Sequence, residues 1–308
     1  MISPKLLRNF ALFIMLYTLL VILAGGVVRT TQSGMGCPDW PTCFGQWIPP
    51  TNASELPADY ERYLRKQDID HTFNVYHTWI EAINRYIAAL LGLFALIQVA
   101  LLFAKRKSHK KAFALAALYL LLVLVIGVVG AVVVRLNLAH LSISLHLALA
   151  LLLLIVQLLL IVTLQARPFI ITSKQQYYLL GYTMVLIILQ VTMGTVVRMH
   201  IDDVSKALSY TNRALWLQDA PTIFIVHRSS SWLVMGIIAY LIYKSKNNIW
   251  LYKQAIILGV LAVLNMAVGI ILYYANMPAT AQPIHLLLAA LVIVQLAYML
   301  MVTKHNSA

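Results

Sequence analysis

Charge is the property this sequence has least of. Charged residues fill 11% of its 308 positions, and Asp and Glu together number only 10 against 23 Lys and Arg. Soluble domains carry about a quarter charged residues, so a water-facing globular surface is excluded. Apolar residues take up the deficit at 61%, mean hydropathy is +0.82, and the sequence reads as an integral membrane protein. Polar residues are also scarce in the middles of the apolar runs, which are nearly all Leu, Val, Ile and Ala. That argues against a repeat-built transporter, which needs broken helices and polar sites near the midplane. Cysteine occurs twice, in Cys37-Pro38-Asp39-Trp40-Pro41-Thr42-Cys43, and the polar stretch 199–220 has none.

What is present is a series of eight apolar runs, near 10–29, 78–103, 112–134, 143–165, 177–199, 222–243, 250–274 and 283–303. Each is long enough to cross a hydrocarbon core of about 30 Å, which takes roughly 20 helical residues. With the N-terminus placed inside, the inner segments hold Lys5, Arg8, Lys105, Arg106, Lys107, Lys110, Lys111, Arg167, Lys174, Lys244, Lys246, Lys253 and Lys304 and no Asp or Glu. Basic flanks favour the cytoplasm, so both termini are expected there. The net charge of +13 then reports topology and attraction to anionic lipid, with no nucleic acid as partner. Residues 1–10 are too short for an organellar transit peptide and no small-residue cleavage site follows the first run. The expected location is a bacterial inner membrane, crossed many times, with the first helix retained.

The long outer loop, 30–75, contains both cysteines. On an oxidising side a Cys37–Cys43 disulfide is expected, serving either as a staple or as a reversible thiol pair that exchanges electrons with a partner. A short interfacial helix is expected around 59–67. The second run opens Asn74-Val75-Tyr76-His77-Thr78-Trp79-Ile80-Glu81-Ala82-Ile83-Asn84-Arg85. At 3.6 residues per turn, His77, Glu81 and Asn84 share one face. An acid at membrane depth is a functional candidate unless it is simply paired. Glu81 can pair with Arg85 one turn on, but the crowding of His77 and Asn84 on the same stripe favours chemistry.

Three histidines sit near the starts of later runs, His146 in the fourth, His227 in the sixth and His285 in the eighth. A lone helix histidine is usually structural. Three at matched depth, with Asn84-Arg85 echoing His227-Arg228, point to two copies of one four-helix unit and to metal or haem. Zinc wants four nitrogen or sulfur ligands, and each half offers one pair; two axial ligands on facing helices fit haem better. The expected fold is therefore an all-α membrane protein whose eight transmembrane helices form two pseudo-symmetric four-helix bundles, residues 1–170 and 171–308. Because each unit has an even number of helices the repeat is parallel, and both sites should lie towards the outer side. The first, third and fifth runs end in the similar strings Gly25-Gly26-Val27-Val28-Arg29, Gly130-Ala131-Val132-Val133-Val134-Arg135 and Gly194-Thr195-Val196-Val197-Arg198. Their arginines are either interfacial anchors or binders of carboxylates.

Taken together, Gly34-Met35-Gly36-Cys37-Pro38-Asp39-Trp40-Pro41-Thr42-Cys43, the Glu81 to Arg85 segment and the histidines of the four-plus-four repeat resemble the haem A synthase family over nearly the whole chain. The resemblance implies an enzyme, a membrane-bound oxidoreductase that oxidises the C8 methyl of haem O to the formyl group of haem A for a terminal oxidase. It implies haem b as cofactor between His227 and His285, and haem O as substrate in the N-terminal half near His146, Asn84, His77 and Arg85, with Glu81 as the catalytic acid or base. It also implies partners: the haem O synthase, the terminal oxidase assembly machinery, an electron acceptor or donor, and the lipid bilayer. Two features depart from the family. Many members carry histidine where this chain has Asn84, which leaves the substrate iron short of one protein ligand or bound to His77, about 10 Å away along the helix. Some members carry a second cysteine pair, for which 199–220 offers nothing, so a thiol relay through both loops is excluded. The rival class is a quinol-linked b-type electron carrier. Such carriers usually stack haems toward both faces of the bilayer, whereas all ligand candidates here lie toward one.

Overall fold

A computed structural model describes residues 3–64, 72–165 and 168–305. Eight of its helices are long and apolar enough to cross a membrane: α1 Pro4–Thr30, α3 Val75–Phe103, α4 Lys110–Arg135, α5 His140–Gln165, α6 Lys174–Ala207, α7 Thr222–Lys244, α8 Ile249–Tyr274 and α9 Ala281–Val302. Seven contain one of the expected runs whole and extend beyond it, because hydropathy registers only the lipid-matched stretch while the polar caps set the true ends; α9 starts before its run and stops one residue short of 303, which begins β2. Ser3 caps α1 with Pro4 at its first position, Asn74 caps α3, Ser173 and Gln176 form a capping box on α6, and Asn248 caps α8. In each case a side-chain oxygen takes one of the unpaired N–H groups of the first turn.

The chain divides into two compact units, Met1–Leu164 and Gln165–Ala308. In the first, α3 lies between α1 and α4, and buried polar contacts tie the remaining helices together. Gln98 of α3 and Gln157 of α5 bond reciprocally at 3.2 and 2.8 Å, Gln157 also donates to the Ala11 carbonyl of α1 at 2.8 Å, and Thr18 of α1 meets Tyr119 of α4 at 2.7 Å. Interhelical bonds of this kind contribute about 0.6 kcal/mol each in lipid; their larger effect is to fix register among faces otherwise made of interchangeable aliphatic side chains. Small residues, Ala11, Ala95, Ala112 and Ala116, let the helices approach and are fully buried.

In the second unit α6, α7, α8 and α9 close a ring, each touching the next and α9 returning to α6. Where the chain enters α6 and leaves α9, β1 Ile170–Thr172 pairs in parallel with β2 Thr303–His305, Ile171 facing Lys304. This short ladder is an addition to the expected all-α fold; it pairs backbone groups of the segments that flank the two helices.

Two expectations need correction in detail. The fifth run was expected to end near 199, and α6 continues to Ala207. Its last turns are polar and invisible to hydropathy, but the ion pair of Arg198 with Asp202 at 2.8 Å spans one turn and supports the extension. The interfacial helix is a single turn, α2 Glu61–Leu64; Asp59 and Tyr60 form a turn before it, and 65–67 lies outside the described residues, as does Arg167.

α1, α4, α6 and α8 finish alike. An N–H returns to the carbonyl five residues earlier: Ser33 to Val28, Leu138 to Val133, Tyr210 to Ser205 and Met277 to Leu272, at 2.7–2.9 Å. The preceding residues, Gln32, Asn137, Ser209 and Asn276, have φ from 47 to 60°. This is a Schellman-type ending made without glycine, at a cost of roughly 1 kcal/mol each.

Candidate functional site

In the first unit the loop after α1 lies across the opening turns of α3. Cys37 and Cys43 form a disulfide, and both are buried with Phe44 and Ala82. Within the ring, the Asp39 carboxylate accepts from the N–H groups of Phe44 (2.6 Å) and Gly45 (2.9 Å) and from the Thr42 hydroxyl. Gly36 meets the helix backbone directly: a Cβ there would lie 2.3 Å from the His77 carbonyl oxygen, so only glycine permits the approach. Thr78 secures the contact by donating to the Gly36 carbonyl at 2.9 Å.

Arg85 is the centre of this arrangement. Its Nη1 donates to the carbonyls of Asp39 (2.6 Å) and Thr42 (2.8 Å), and its Nη2 to the carbonyl of Cys37 (2.9 Å) and to Glu81 Oε1 (2.6 Å). All the terminal guanidinium protons are therefore engaged inside the protein. The other Glu81 oxygen accepts from the Cys37 N–H at 2.8 Å. Glu81 is thus joined to Arg85 one turn on, as in the plainer of the two sequence readings, and the pair clamps the disulfide ring. Burial of both sulfurs supports the staple over an exchangeable thiol pair.

His77 belongs to the loop end of this assembly. It stands in the first turn of α3, its backbone N–H capped by Asn74 at 3.2 Å, and its side chain lines a small cleft with Met35, Gly36, Phe44 and Phe73. Asn84 is about two turns deeper, and its buried Oδ1 has no hydrogen-bond partner. His146 enters from α5, with a buried Nδ1 that is likewise unpartnered.

The second unit repeats the placement with different partners. His227 on α7 and His285 on α9 occupy helices that alternate in the ring. His285 Nδ1 is 3.1 Å from the Asn265 carbonyl; a carbonyl only accepts, so Nδ1 carries the proton and Nε2 is left as the ligand atom. Gln190 of α6 donates to the His227 carbonyl at 3.1 Å, and Ser230 donates to Gln190 at 3.2 Å. Arg228, the counterpart of Arg85, is exposed and stacks over Phe224 and Tyr273 at 5.7 and 5.4 Å. Instead of a disulfide loop, Trp216 closes this end, buried against Val197, Ile201 and Met277. Of the arginines ending the outward runs, Arg198 is held by Asp202 and Gln282, while Arg135 is exposed.

A feature the sequence reading missed links the histidines. Each imidazole lies against a glycine of the preceding helix: a Cβ on Gly130 would be 3.5 Å from His146 Cε1, on Gly194 3.2 Å from His227 Cε1, and on Gly269 3.2 Å from His285 Cε1. For Gly130 and Gly194 a sequence signal exists, since both open the repeated helix-end strings. Gly269 had no such signal.

The sequence profile of the COX15-CtaA family, cytochrome oxidase assembly protein, matches residues 8–297. The chain belongs to the COX15-CtaA family. Relatives of this COX15-CtaA chain include a heme A synthase of Shewanella oneidensis, 34% identical over 50% of this chain and 44% of its own length, and one of an Exiguobacterium species, 31% identical over 46% and 42%. A heme A synthase of Bartonella quintana is 28% identical over 35% and 32%. The matches thus span less than half the length of these curated relatives. Family and helices together make the COX15-CtaA chain a multi-pass membrane protein.

The residues present fit a haem. Among the described residues no three His, Cys, Asp or Glu gather as around a lone metal ion. The second unit instead offers two imidazoles on alternating helices, one with its Nδ1 on a carbonyl, which leaves Nε2 free for ligation.

Proposed function

We propose that this protein is a haem A synthase, oxidising the C8 methyl of haem O to the formyl group of haem A for a terminal oxidase. The observation that carries the reading is an asymmetry between like units. Both present a side chain from α3 or α7 and another from α5 or α9, but only the second unit has histidine in both places, His227 and His285, against Asn84 and His146 in the first. A pair of histidines suits a resident haem b, and a single histidine suits a haem that must leave as product. When bound, haem b supplies one-electron transfer.

The chain's own residues do the rest. His146 holds the substrate, and the pair of Arg85 and Glu81 fixes the disulfide ring over the first unit. Oxidising a methyl group releases protons, and Glu81 is placed to take one: two of the roughly four acceptor positions of a carboxylate are filled, by Arg85 and Cys37. We assign Arg85 to holding the loop, since its terminal donors are engaged there, and His77 to the loop contact. The haem sites face the outer side of a bacterial inner membrane, with both termini cytoplasmic. In support, the connection between α3 and α4 carries Lys105, Arg106 and Lys107, and the disulfide lies at the opposite end of α3, as an oxidising outer face requires. The haem O synthase, the oxidase assembly machinery and an electron acceptor or donor are the partners this reaction needs.

Supplying haem O to cells expressing the chain, then extracting and separating the haems, tests the reading. Haem A is expected from wild type, with Glu81→Gln lowering the yield by about two orders of magnitude, the usual scale of a lost general base. Haem b without haem A would assign the protein to the electron carriers.

A further inference from the structure

The first unit contains the place for a fourth imidazole without the imidazole. Gly25 precedes Arg29 by the interval that separates Gly194 from Arg198, and Asn84 precedes Arg85 as His227 precedes Arg228. Gly25 and Asn84 are therefore the counterparts of Gly194 and His227, on the contacting helices α1 and α3. At Gly194, Gly130 and Gly269 the space beside the glycine is filled by a histidine ring, whereas at Gly25 a Cβ would meet nothing within 4 Å. By the correspondence with Gly194 and His227, this is the space that a histidine at position 84 would fill and the shorter asparagine does not.

Asn84 is also unsatisfied. Its Oδ1 is buried with no partner, a condition that costs about 1–3 kcal/mol for a neutral polar group and that a bound O–H or N–H donor relieves. A neutral amide oxygen is a hard ligand and a weak one for haem iron beside imidazole, so Asn84 does not replace the missing histidine directly. His77 cannot replace it either, because its helical turn is pinned by Gly36, Thr78 and Asn74, about 10 Å along the axis from Asn84.

Resting on the haem A synthase reading, we infer that the substrate haem has one protein ligand, His146, and that its opposite axial position opens beside Asn84 and Gly25 as a binding site for a small neutral ligand. Water occupies it in the ferric state, donating to Asn84 Oδ1, and a diatomic gas in the ferrous state, accepting from Asn84 Nδ2. Asn84 is then a ligand-positioning residue, and the departure from histidine gives the first unit a coordination chemistry that the second lacks.

The test uses the purified full chain loaded with haem O. Haem content comes from extraction, spin state from ferric electron paramagnetic resonance, and gas binding from the ferrous carbon monoxide difference spectrum. Wild type is expected to show a high-spin signal and to bind about one carbon monoxide per haem O, as single-histidine haems do. Asn84→His should turn the signal low-spin and weaken carbon monoxide binding at least about tenfold, as expected when a strong internal ligand competes for iron, and His77→Ala should leave both unchanged. The low-spin signal of the His227 and His285 haem reports folding in every variant. Haem O bound low-spin in wild type, or carbon monoxide binding that persists in Asn84→His, overturns the open position, and low-spin haem O released by His77→Ala would make His77 the ligand. A chain that binds no haem O overturns the functional reading as well.

Discussion

Alanine at His227 or His285 is expected to abolish the low-spin haem spectrum of the second unit while haem O still binds the first. His227 on α7 and His285 on α9 would hold this haem in the proposed site, and neither helix offers a second histidine within a turn to take over. The neighbouring glycines should matter nearly as much. A Cβ at Gly194 or Gly269 would sit 3.2 Å from a ring carbon, so the ring must give by a few tenths of an ångström. Valine adds methyls that press the ring further out of line. Gly194→Val and Gly269→Val are therefore expected to weaken haem retention by about 10–100-fold, the range for groups that orient a metal ligand. Titrating haem out of the purified protein with apomyoglobin measures this. An unchanged spectrum in both histidine variants would remove the site from the second unit.

The second large effect is expected at Arg85. Its side chain and that of Glu81 are 15% and 6% exposed, and removing one member of a buried ion pair costs about 3–5 kcal/mol because the other is left uncompensated. Here the carbonyls of Cys37, Asp39 and Thr42 lose their donor in the same step. Arg85→Ala should release the disulfide ring from α3, expose residues 31–64 to protease and lose haem A formation. Arg85→Lys should fail to rescue, since one ammonium cannot reach acceptors spread across a planar fork. Arg228→Ala is the internal control: its guanidinium is exposed over Phe224 and Tyr273, and no comparable change in protease sensitivity is expected. Limited proteolysis before and after reduction separates the clamp from the disulfide, and a loop that stays protected in Arg85→Ala would show that the disulfide and Gly36 suffice.

Several residues of the candidate site were legible in one dimension because helical periodicity projects directly from it. Glu81 and Arg85 could be read as neighbours from their spacing, and His146, His227 and His285 stood out as polar residues where lipid-facing helices tolerate few. The other partners of Arg85 were not legible. They are backbone carbonyls some forty residues earlier, and a carbonyl leaves no mark on residue identity. The glycines beside the imidazoles were equally hidden, since a glycine in an apolar helix looks the same whether it faces lipid or makes room for a ring.

By itself the sequence determined the eight long apolar helices and most of their approximate ends. Hydrophobic length and the 3.6-residue period are local properties, and the low-dielectric core of a membrane enforces them segment by segment. Only the tertiary structure decided that the disulfide ring is clamped by Arg85, that His146, His227 and His285 each rest on a glycine of the preceding helix, and that Gly25 has no side chain against it. Those facts depend on which faces of separate helices meet. Among aliphatic surfaces of nearly equal energy, that choice is made by a few small residues and buried hydrogen bonds acting across the bundle.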